Sequence, residues 1–184
     1  MTKLKNKSAL NSAVFPLRNK VQRAVWGAVY FFLFRFSPTP LFTFRRFLLS
    51  AFGADVHFSA RIYPSASIWL PSNLTIEEKA TLGPKVNVYN QGKITIGRRT
   101  TVSQGAHLCA STHDYNDPLH PLLLAPICIE SDVWVCAEAF VGPGVTLSEG
   151  SVIGARAVVV KSTAPWSVSA GNPARHIKER TRFN

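Results

Sequence analysis

The sequence has few acidic side chains, and the shortage is concentrated at its N-terminal end. The 184 residues include 21 Lys and Arg but only 10 Asp and Glu, which gives a formal net charge of +11. Residues 1–54 contain nine Lys and Arg and no Asp or Glu, so the rest of the chain carries only +2. A basic charge confined to one end, without a nucleic-acid-binding motif, argues against nucleic acid as the main partner. A basic, aromatic segment fits an anionic membrane surface or a lipid-linked intermediate better.

Cysteine is also scarce. The chain has three cysteines, Cys109, Cys128 and Cys136, and no pair of them has a metal-ligand spacing such as C-x-x-C. An odd number of cysteines in a chain of this size is typical of reduced thiols. We therefore expect a cytoplasmic protein, with the cysteines serving as small apolar side chains.

Long apolar runs are absent. The longest run covers residues 24–34, eleven residues, whereas a membrane-spanning helix takes about 20. Arg35 and Phe36 follow the run and no small-residue cleavage site does, so a signal peptide is disfavoured. Two interpretations stay open for this segment. It forms a helix pair packed on the body of the protein, or an interfacial helix through which residues 1–46 contact the inner face of a membrane.

A six-residue repeat fills most of the remaining chain. From Val56 onward an aliphatic residue returns every six positions, in five groups of three windows. The fifteen aliphatic residues are Val56, Ile62, Ile68, Ile76, Leu82, Val88, Ile96, Val102, Leu108, Ile129, Val135, Val141, Leu147, Ile153 and Val159. Four residues after each of them comes Ser, Thr, Ala or Val, with Gly92 as the one exception.

This repeat predicts an all-β fold. Each six-residue unit supplies one short strand and one corner, with the aliphatic residue and the small residue both pointing inward. Three units close a triangular coil of 18 residues, and successive coils stack about 4.8 Å apart. Ordinary strands have period two and turn signals every 8–12 residues, so they do not keep a six-residue phase. We therefore expect a parallel β-helix of about five triangular coils.

The repeat also divides the chain. We expect a basic, aromatic, helical appendage over residues 1–54, the β-helix over 55–164 and a short C-terminal tail over 165–184. Because a solenoid exposes both ends, the appendage and the tail are expected to cap them. Two residues are inserted at the same corner of three coils, as Leu74-Thr75, Ile94-Thr95 and Ile127-Cys128.

The six-residue phase breaks seriously only once, at His113. An excursion loop, residues 114–126, leaves the prism directly after this histidine. Excursions from a compact scaffold are commonly functional. A neutral imidazole can accept a proton from a hydroxyl or an amine near pH 7, and a carboxylate or a backbone carbonyl can select its tautomer. His113 is therefore the candidate general base.

The chain resembles a known family along nearly its whole length. The motifs that carry the resemblance are Arg45-Arg46-Phe47-Leu48-Leu49, Ser103-Gln104-Gly105-Ala106, Ser111-Thr112-His113-Asp114-Tyr115, Gly142-Pro143-Gly144-Val145 and Ala170-Gly171-Asn172-Pro173-Ala174. They are similar to those of the hexapeptide-repeat acyltransferases, in particular the colanic acid biosynthesis branch, near the nodulation, maltose and galactoside O-acetyltransferases. The resemblance implies a left-handed β-helix, a homotrimer, and acetyl-CoA bound in the groove between two prisms.

The resemblance also implies site residues. Trp134 and Ala137 match positions that line the pantetheine arm, and Ala155 matches a backbone contact. Lys161, Arg175 and Lys178 match basic side chains that meet the CoA phosphates, which need cationic donors.

On the acceptor side, an asparagine one coil before the histidine is implied. The spacing does not decide between Asn90 and Asn87, with Asn90 ranked first. Asp114 and Tyr115, directly after His113, are further acceptor candidates. The implied reaction is transfer of acetyl to a sugar hydroxyl in exopolysaccharide or cell-surface glycan synthesis.

Two alternatives stay open. One is a non-catalytic β-helix that acts as a scaffold. The other is a zinc enzyme similar to the γ-class carbonic anhydrases, which would require His107, His113 and a third histidine to converge. The positions of the remaining histidines disfavour that convergence, so no metal site is predicted.

Overall fold

A computed structural model describes residues 15–183 of the chain. Two helices come first: α1 (Leu17–Val29), continued by one turn of π-helix (Tyr30–Phe34), and α2 (Phe42–Ala51). A short 3-10 helix, Pro71–Asn73, lies within the following region of strands. None of the helices over residues 15–183 is long and apolar enough to cross a membrane.

Short strands make up the rest of the fold. They are β1 (Asp55–Val56), β2 (Arg61–Ile62), β3 (Ser67–Ile68), β4 (Leu74–Ile76), β5 (Thr81–Leu82), β6 (Asn87–Tyr89), β7 (Ile94–Ile96), β8 (Thr101–Val102), β9 (His107–Cys109), β10 (Ser111–His113), β11 (Leu122–Leu124), β12 (Ile127–Ile129), β13 (Trp134–Val135), β14 (Phe140–Val141), β15 (Thr146–Leu147), β16 (Val152–Ile153), β17 (Val158–Val159), β18 (Ser167–Ala170) and β19 (Arg175–Glu179).

The strands form three parallel sheets, one on each face of a triangular prism. The first face runs β1-β4-β7-β12-β15, the second β2-β5-β8-β13-β16-β18 and the third β3-β6-β9-β14-β17. Each prism strand therefore stacks on its counterpart in the preceding coil, and the fold is the predicted left-handed β-helix. The second face has a sixth strand, because β18 continues it beyond the fifth coil and β19 then pairs with β18 antiparallel.

The register shows where coil length changes. Thr75 pairs with Thr95, 20 residues later, because the early coils carry the two inserted residues. Cys128 pairs with Thr146, 18 residues later, because this coil consists of three six-residue repeats without an insertion. The first residue of each inserted pair, Leu74, Ile94 or Ile127, is buried in the core.

The corner with the insertion differs from the prediction. Ser72 and Thr112, expected inside, are exposed. Leu70, Asn90 and Ala110 are buried there instead, two residues after the aliphatic rather than four. The inserted residues lengthen this corner, so the chain turns inward earlier and reaches the next strand with a second apolar side chain.

The helices pack against the first coil and share its core. The Trp26 indole is 2% exposed and its Nε1 donates to the Ile68 carbonyl at 2.8 Å. Phe34 and Leu49 are fully buried in the same apolar cluster. The helical segment is therefore continuous with the prism core.

Candidate active site

His113 lies on a β-hairpin that projects from the prism. β10 pairs antiparallel with β11, and His113 stands opposite Leu122 at the outer end of the ladder. Because β10 follows β9 on the third face and β11 precedes β12 on the first, the hairpin projects from the corner between these faces. The excursion, expected over residues 114–126, therefore begins earlier, at Ser111, and is a strand pair closed by a tip at residues 114–121.

The carboxylates after His113 stabilise the hairpin tip. Asp114 Oδ1 accepts the backbone N–H of Asn116 at 3.0 Å, and Asp117 Oδ1 accepts that of Leu119 at 2.9 Å. Tyr115 is 82% exposed. Asp114 therefore has a local structural partner, and Tyr115 projects into solvent at the tip.

The imidazole of His113 is oriented by a backbone carbonyl. Its Nδ1 lies 2.6 Å from the His120 carbonyl oxygen across the hairpin. Because a carbonyl can only accept, Nδ1 must carry the hydrogen, and Nε2 of the neutral ring keeps its lone pair. The ring is exposed, so an incoming hydroxyl can reach Nε2.

A second histidine lies on the outer surface of the third face. His107 stands beside Asn87 in the register of β6 and β9, with Asn87 Nδ2 3.4 Å from His107 Nε2. Partial burial lowers the pKa of His107 and favours its neutral ring. Asn87 therefore presents its amide on the outer surface of this face.

Asn90, ranked first as the asparagine that binds the acceptor, does not lie on the surface. It is fully buried, its Oδ1 accepts the Leu70 N–H at 3.1 Å, and its Nδ2 donates to the Leu70 carbonyl at 2.7 Å. Both ends of the amide are used to tie neighbouring coils together. Asn90 cannot contact an acceptor from there, which leaves Asn87 as the asparagine candidate.

Three of the cofactor candidates lie at another edge of the prism. Trp134 is on the second face, half-exposed, with its Nε1 donating to Ser103 Oγ at 2.9 Å. Ala137 and Ala155 occupy the corner between the second and third faces in consecutive coils, where the Arg156 N–H donates to the Ala137 carbonyl at 2.9 Å. The same corner also carries the ion pair between Arg156 Nε and Glu138 Oε2, 2.7 Å apart.

The basic candidates lie near the C-terminal end. Lys161 and Arg175 line one cavity of about 410 Å³ together with Ser169 and His176. Lys178 is exposed on β19, opposite Val168. Lys161 and Arg175 are thus brought together, and Lys178 lies on the neighbouring strand pair.

A single chain does not bring the two halves of the predicted site together. His113 projects from the corner between the third and first faces, whereas Trp134, Ala137 and Ala155 lie at or near the corner between the second and third. Four surface cavities formed within residues 15–183 have other linings, and His113 lines none of these four. Within the same residues, no group of three or more His, Cys, Asp or Glu side chains is placed to hold a metal ion.

Sequence reasoning missed a basic contact beside Trp134. Arg99, Trp134 and Arg180 line one cavity of about 360 Å³, and Arg180 Nη1 donates to the carbonyls of Asp132 and Gly150 at 2.8 and 2.9 Å. The only signal for Arg180 in the sequence is the basic composition of the tail, which does not single it out.

Comparison with known proteins identifies relatives of the chain. No protein-family model matches the chain. The Escherichia coli K12 protein named colanic acid biosynthesis acetyltransferase WcaF is 40% identical over 162 residues, covering 88% of this chain and 89% of that protein. The galactoside O-acetyltransferase of the same strain is 28% identical over 138 residues, covering 73% and 68% of the two chains.

A solved structure shares the fold. A hexapeptide-repeat-containing acetyltransferase of Vibrio cholerae O1 biovar eltor, crystallised with acetyl coenzyme A, superposes with a TM-score of 0.81 at 22% identity, over 91% of this chain and 92% of that one. The sequence similarity to the two acetyltransferases of Escherichia coli K12 favours the enzyme over the non-catalytic scaffold. With 40% identity to WcaF across nearly nine-tenths of both proteins, the chain belongs to the WcaF family of hexapeptide-repeat acetyltransferases.

Proposed function

We propose that the chain transfers an acetyl group from acetyl-CoA to a sugar hydroxyl, with His113 as the general base. The observation that carries the proposal is the 2.6 Å contact from His113 Nδ1 to the His120 carbonyl, which leaves Nε2 free to accept a proton. Membership of the family supports the acetyl transfer. The names of two relatives support a sugar acceptor, because colanic acid is a polysaccharide and the second relative is named for a galactoside.

The mechanism follows from the orientation of the ring. Nε2 of His113 takes the proton of the sugar hydroxyl as its oxygen attacks the thioester carbonyl carbon. The tetrahedral intermediate collapses, the C–S bond breaks, and the proton on Nε2 passes to the departing thiolate. The His120 carbonyl keeps Nδ1–H in place throughout and stabilises the imidazolium. The acceptor lies beside Asn87, Asp114 and Tyr115.

The cofactor residues favour a homotrimer. Trp134, Ala137 and Ala155 hold the pantetheine arm, and Lys161, Arg175 and Lys178 bind the phosphates through charge-assisted hydrogen bonds. Because these residues lie at another edge from His113, acetyl-CoA bound there reaches the histidine of a neighbouring copy. A closed threefold assembly provides three such grooves.

The test replaces the base and keeps the scaffold. His113→Ala removes Nε2 and should lower kcat by several powers of ten, since general-base catalysis alone contributes about 10²–10⁴-fold. His57→Gln, on the first coil, is the matched control and should keep normal turnover. Thermal-shift titration with acetyl-CoA should show unchanged binding in both variants. Turnover of His113→Ala within about tenfold of wild type would remove this residue from the role.

The N-terminal helices are proposed to contact an anionic membrane. Leu17, Val21, Val25 and Phe32 are exposed along one side of α1 and the π-helix, and Phe36 is exposed just beyond them. An apolar helix face next to cations binds the boundary of lipid headgroups and acyl chains. Flotation with phosphatidylglycerol vesicles measures this contact. Replacing Phe32 and Phe36 by Ser should weaken it, whereas Phe58→Ser, which alters an exposed ring outside the helices, should not.

A further inference from the structure

A cavity of about 360 Å³ lies between α1 and the first coil, apart from His113. Lys20 and Arg23 line it from the helix, Trp26 and Tyr30 follow on the next turns, and Trp69 lines it from the prism. Aromatic rings with two cations resemble the lining of a site for a polar, anionic ligand more than that of an apolar core.

The cations of this cavity are not neutralised by neighbouring carboxylates. Residues 1–54 contain no Asp or Glu. None of the four ion pairs formed within residues 15–183 involves Lys20 or Arg23. The Arg23 guanidinium stacks 3.9 Å from the Trp69 ring centroid, which holds its plane in one orientation. A guanidinium held in this way is suited to bidentate binding of a phosphoryl group, and Lys20 adds a point charge.

A glycine keeps this cavity open. Gly27 lies inside α1, where glycine costs about 0.5–1 kcal/mol relative to alanine. A Cβ built on Gly27 meets no atom within 4 Å beyond its chain neighbours and the backbone of its own helix, and its φ is not positive, so neither packing nor backbone geometry requires glycine here. Gly27 lines the cavity, and a larger side chain at this position would fill it. This is a separate observation that points to ligand space.

The cavity lies on the same edge of the prism as His113. Trp69 directly follows β3, and Tyr89 and Cys109 are the last residues of β6 and β9, the next two strands of the third face. The Trp69 and Tyr89 ring centroids are 6.2 Å apart. Cys109 lies two residues before the hairpin begins, and its Sγ donates to the Ser111 carbonyl at 3.3 Å. Two strand spacings, roughly 10 Å along the prism axis, separate the levels of Trp69 and Cys109. The base of the hairpin therefore lies on the same edge of the prism, two coils from the cavity.

We propose that this cavity binds the phosphoryl group of a phosphorylated sugar acceptor while His113 activates a hydroxyl of the sugar. The inference rests on the proposed function and gives its acceptor class: a sugar 1-phosphate or diphosphate, carried by a nucleoside or by a lipid. Arg23 and Lys20 bind the phosphoryl oxygens, and Trp69 and Tyr89 flank the path toward the hairpin.

The first test measures anion binding without catalysis. Inorganic pyrophosphate is titrated by calorimetry into the protein saturated with CoA, so that the cofactor site is already filled. We expect saturable binding that Arg23→Gln weakens at least tenfold. Arg18→Gln removes an exposed charge of the same helix outside the cavity and should leave binding unchanged. Equal weakening by both variants, or no binding by wild type at 10 mM, would overturn the proposal.

A second pair of variants tests the cavity by filling it. Gly27→Leu places a side chain in the open space and keeps every charge, so pyrophosphate binding should fall at least tenfold. Ala28→Leu adds the same side chain at the neighbouring exposed position, which does not line the cavity. Since leucine favours helix, both variants should fold. Wild-type affinity in Gly27→Leu would exclude this cavity as the site.

Acceptor assays distinguish a nucleoside carrier of the phosphoryl group from a lipid carrier. They also test sugar acetylation and the phosphoryl-binding cavity separately. Methyl hexoside, hexose 1-phosphate, nucleoside-diphosphate hexose and polyprenyl-diphosphate hexose are compared by kcat/KM. We expect at least a tenfold preference for one phosphorylated acceptor, lost in Arg23→Gln, and the preferred acceptor identifies the carrier. Equal use of methyl hexoside would overturn the phosphoryl site but leave sugar acetylation standing. Pyrophosphate binding without acetylation of any sugar would leave the phosphoryl site standing but overturn the proposed sugar acetylation.

Discussion

The prism and the N-terminal helices are stabilised in different ways. In the prism the inward side chains are apolar or small, such as Ile96 and Ala106, and they are fully buried. The helices bury a charged side chain, Arg45, yet residues 17–47 hold ten of the eighteen exposed large hydrophobic side chains found over residues 15–183. The prism interior is apolar, as is usual for a protein core. The helices differ from this rule in two ways, because they bury a charge and expose many apolar side chains.

The difference shows how each region is attached. Each prism strand contacts its counterparts in the coils below and above, so the packing is the same from one coil to the next. The helices are attached by particular groups: Arg45 Nε donates to the Ile62 carbonyl of the prism at 2.6 Å. Its Nη1 fixes the connection between the helices, donating to Ser37 Oγ at 2.8 Å and to the Pro38 carbonyl at 2.9 Å. With their inner side held this way, the helices can present an apolar outer side to a partner.

The largest effect on stability is expected from removing the buried guanidinium. Arg45→Met keeps the length of the side chain but leaves the Ile62 and Pro38 carbonyls and the Ser37 hydroxyl without their donor. We expect a loss of about 3 kcal/mol or more, or roughly 6–12 °C in Tm. Arg61→Met, at an exposed strand position, is the control and should change Tm by about 1–2 °C at most. Similar losses in the two variants would mean that the helices are not attached through Arg45.

Two glycines test the difference between the closely packed prism and the more open helix. Their replacement by alanine should change the free energy of unfolding in opposite directions. A Cβ on Gly97 would lie 2.5 Å from the Glu130 carbonyl carbon of the next coil, so Gly97→Ala should destabilise the prism by about 1–3 kcal/mol. A Cβ on Gly27 meets nothing within 4 Å, so Gly27→Ala should stabilise α1 by about 0.5–1 kcal/mol. Urea denaturation of both variants measures the two changes. A destabilising Gly27→Ala would contradict an open cavity at the helix.

Much of the fold could be predicted from sequence because its contacts follow the repeat. Ile76, Ile96 and Ile129 lie in phase and prove to be stacked in register on the first face. The corner at Ser72 and Thr112 could not be predicted, because a two-residue insertion leaves open which side chain turns inward. Only the packed structure shows that Leu70, Asn90 and Ala110 do so.

The candidate site was predictable to a smaller extent. His113 could be singled out because the phase breaks there, but its partner, the His120 carbonyl, depends on how the excursion folds back. Asn87 and Asn90 are only three residues apart, and local composition does not distinguish an outward side chain from an inward one. The cavity of Arg23 and Trp69 joins residues 46 positions apart, and no local pattern in the sequence connects them.

The amino-acid sequence by itself determined the prism and its number of coils to within one strand layer. It also located the excursion, although the hairpin begins at Ser111 and not after His113. Those properties depend on residues that repeat at fixed short intervals, and hydrophobic burial turns the aliphatic residue of each repeat inward. The tertiary structure alone decided the tautomer of His113, the inward turn of Asn90, the burial of Arg45 and the cavity below the hairpin. Each of these depends on a directional hydrogen bond or a close contact between residues that the repeat does not relate.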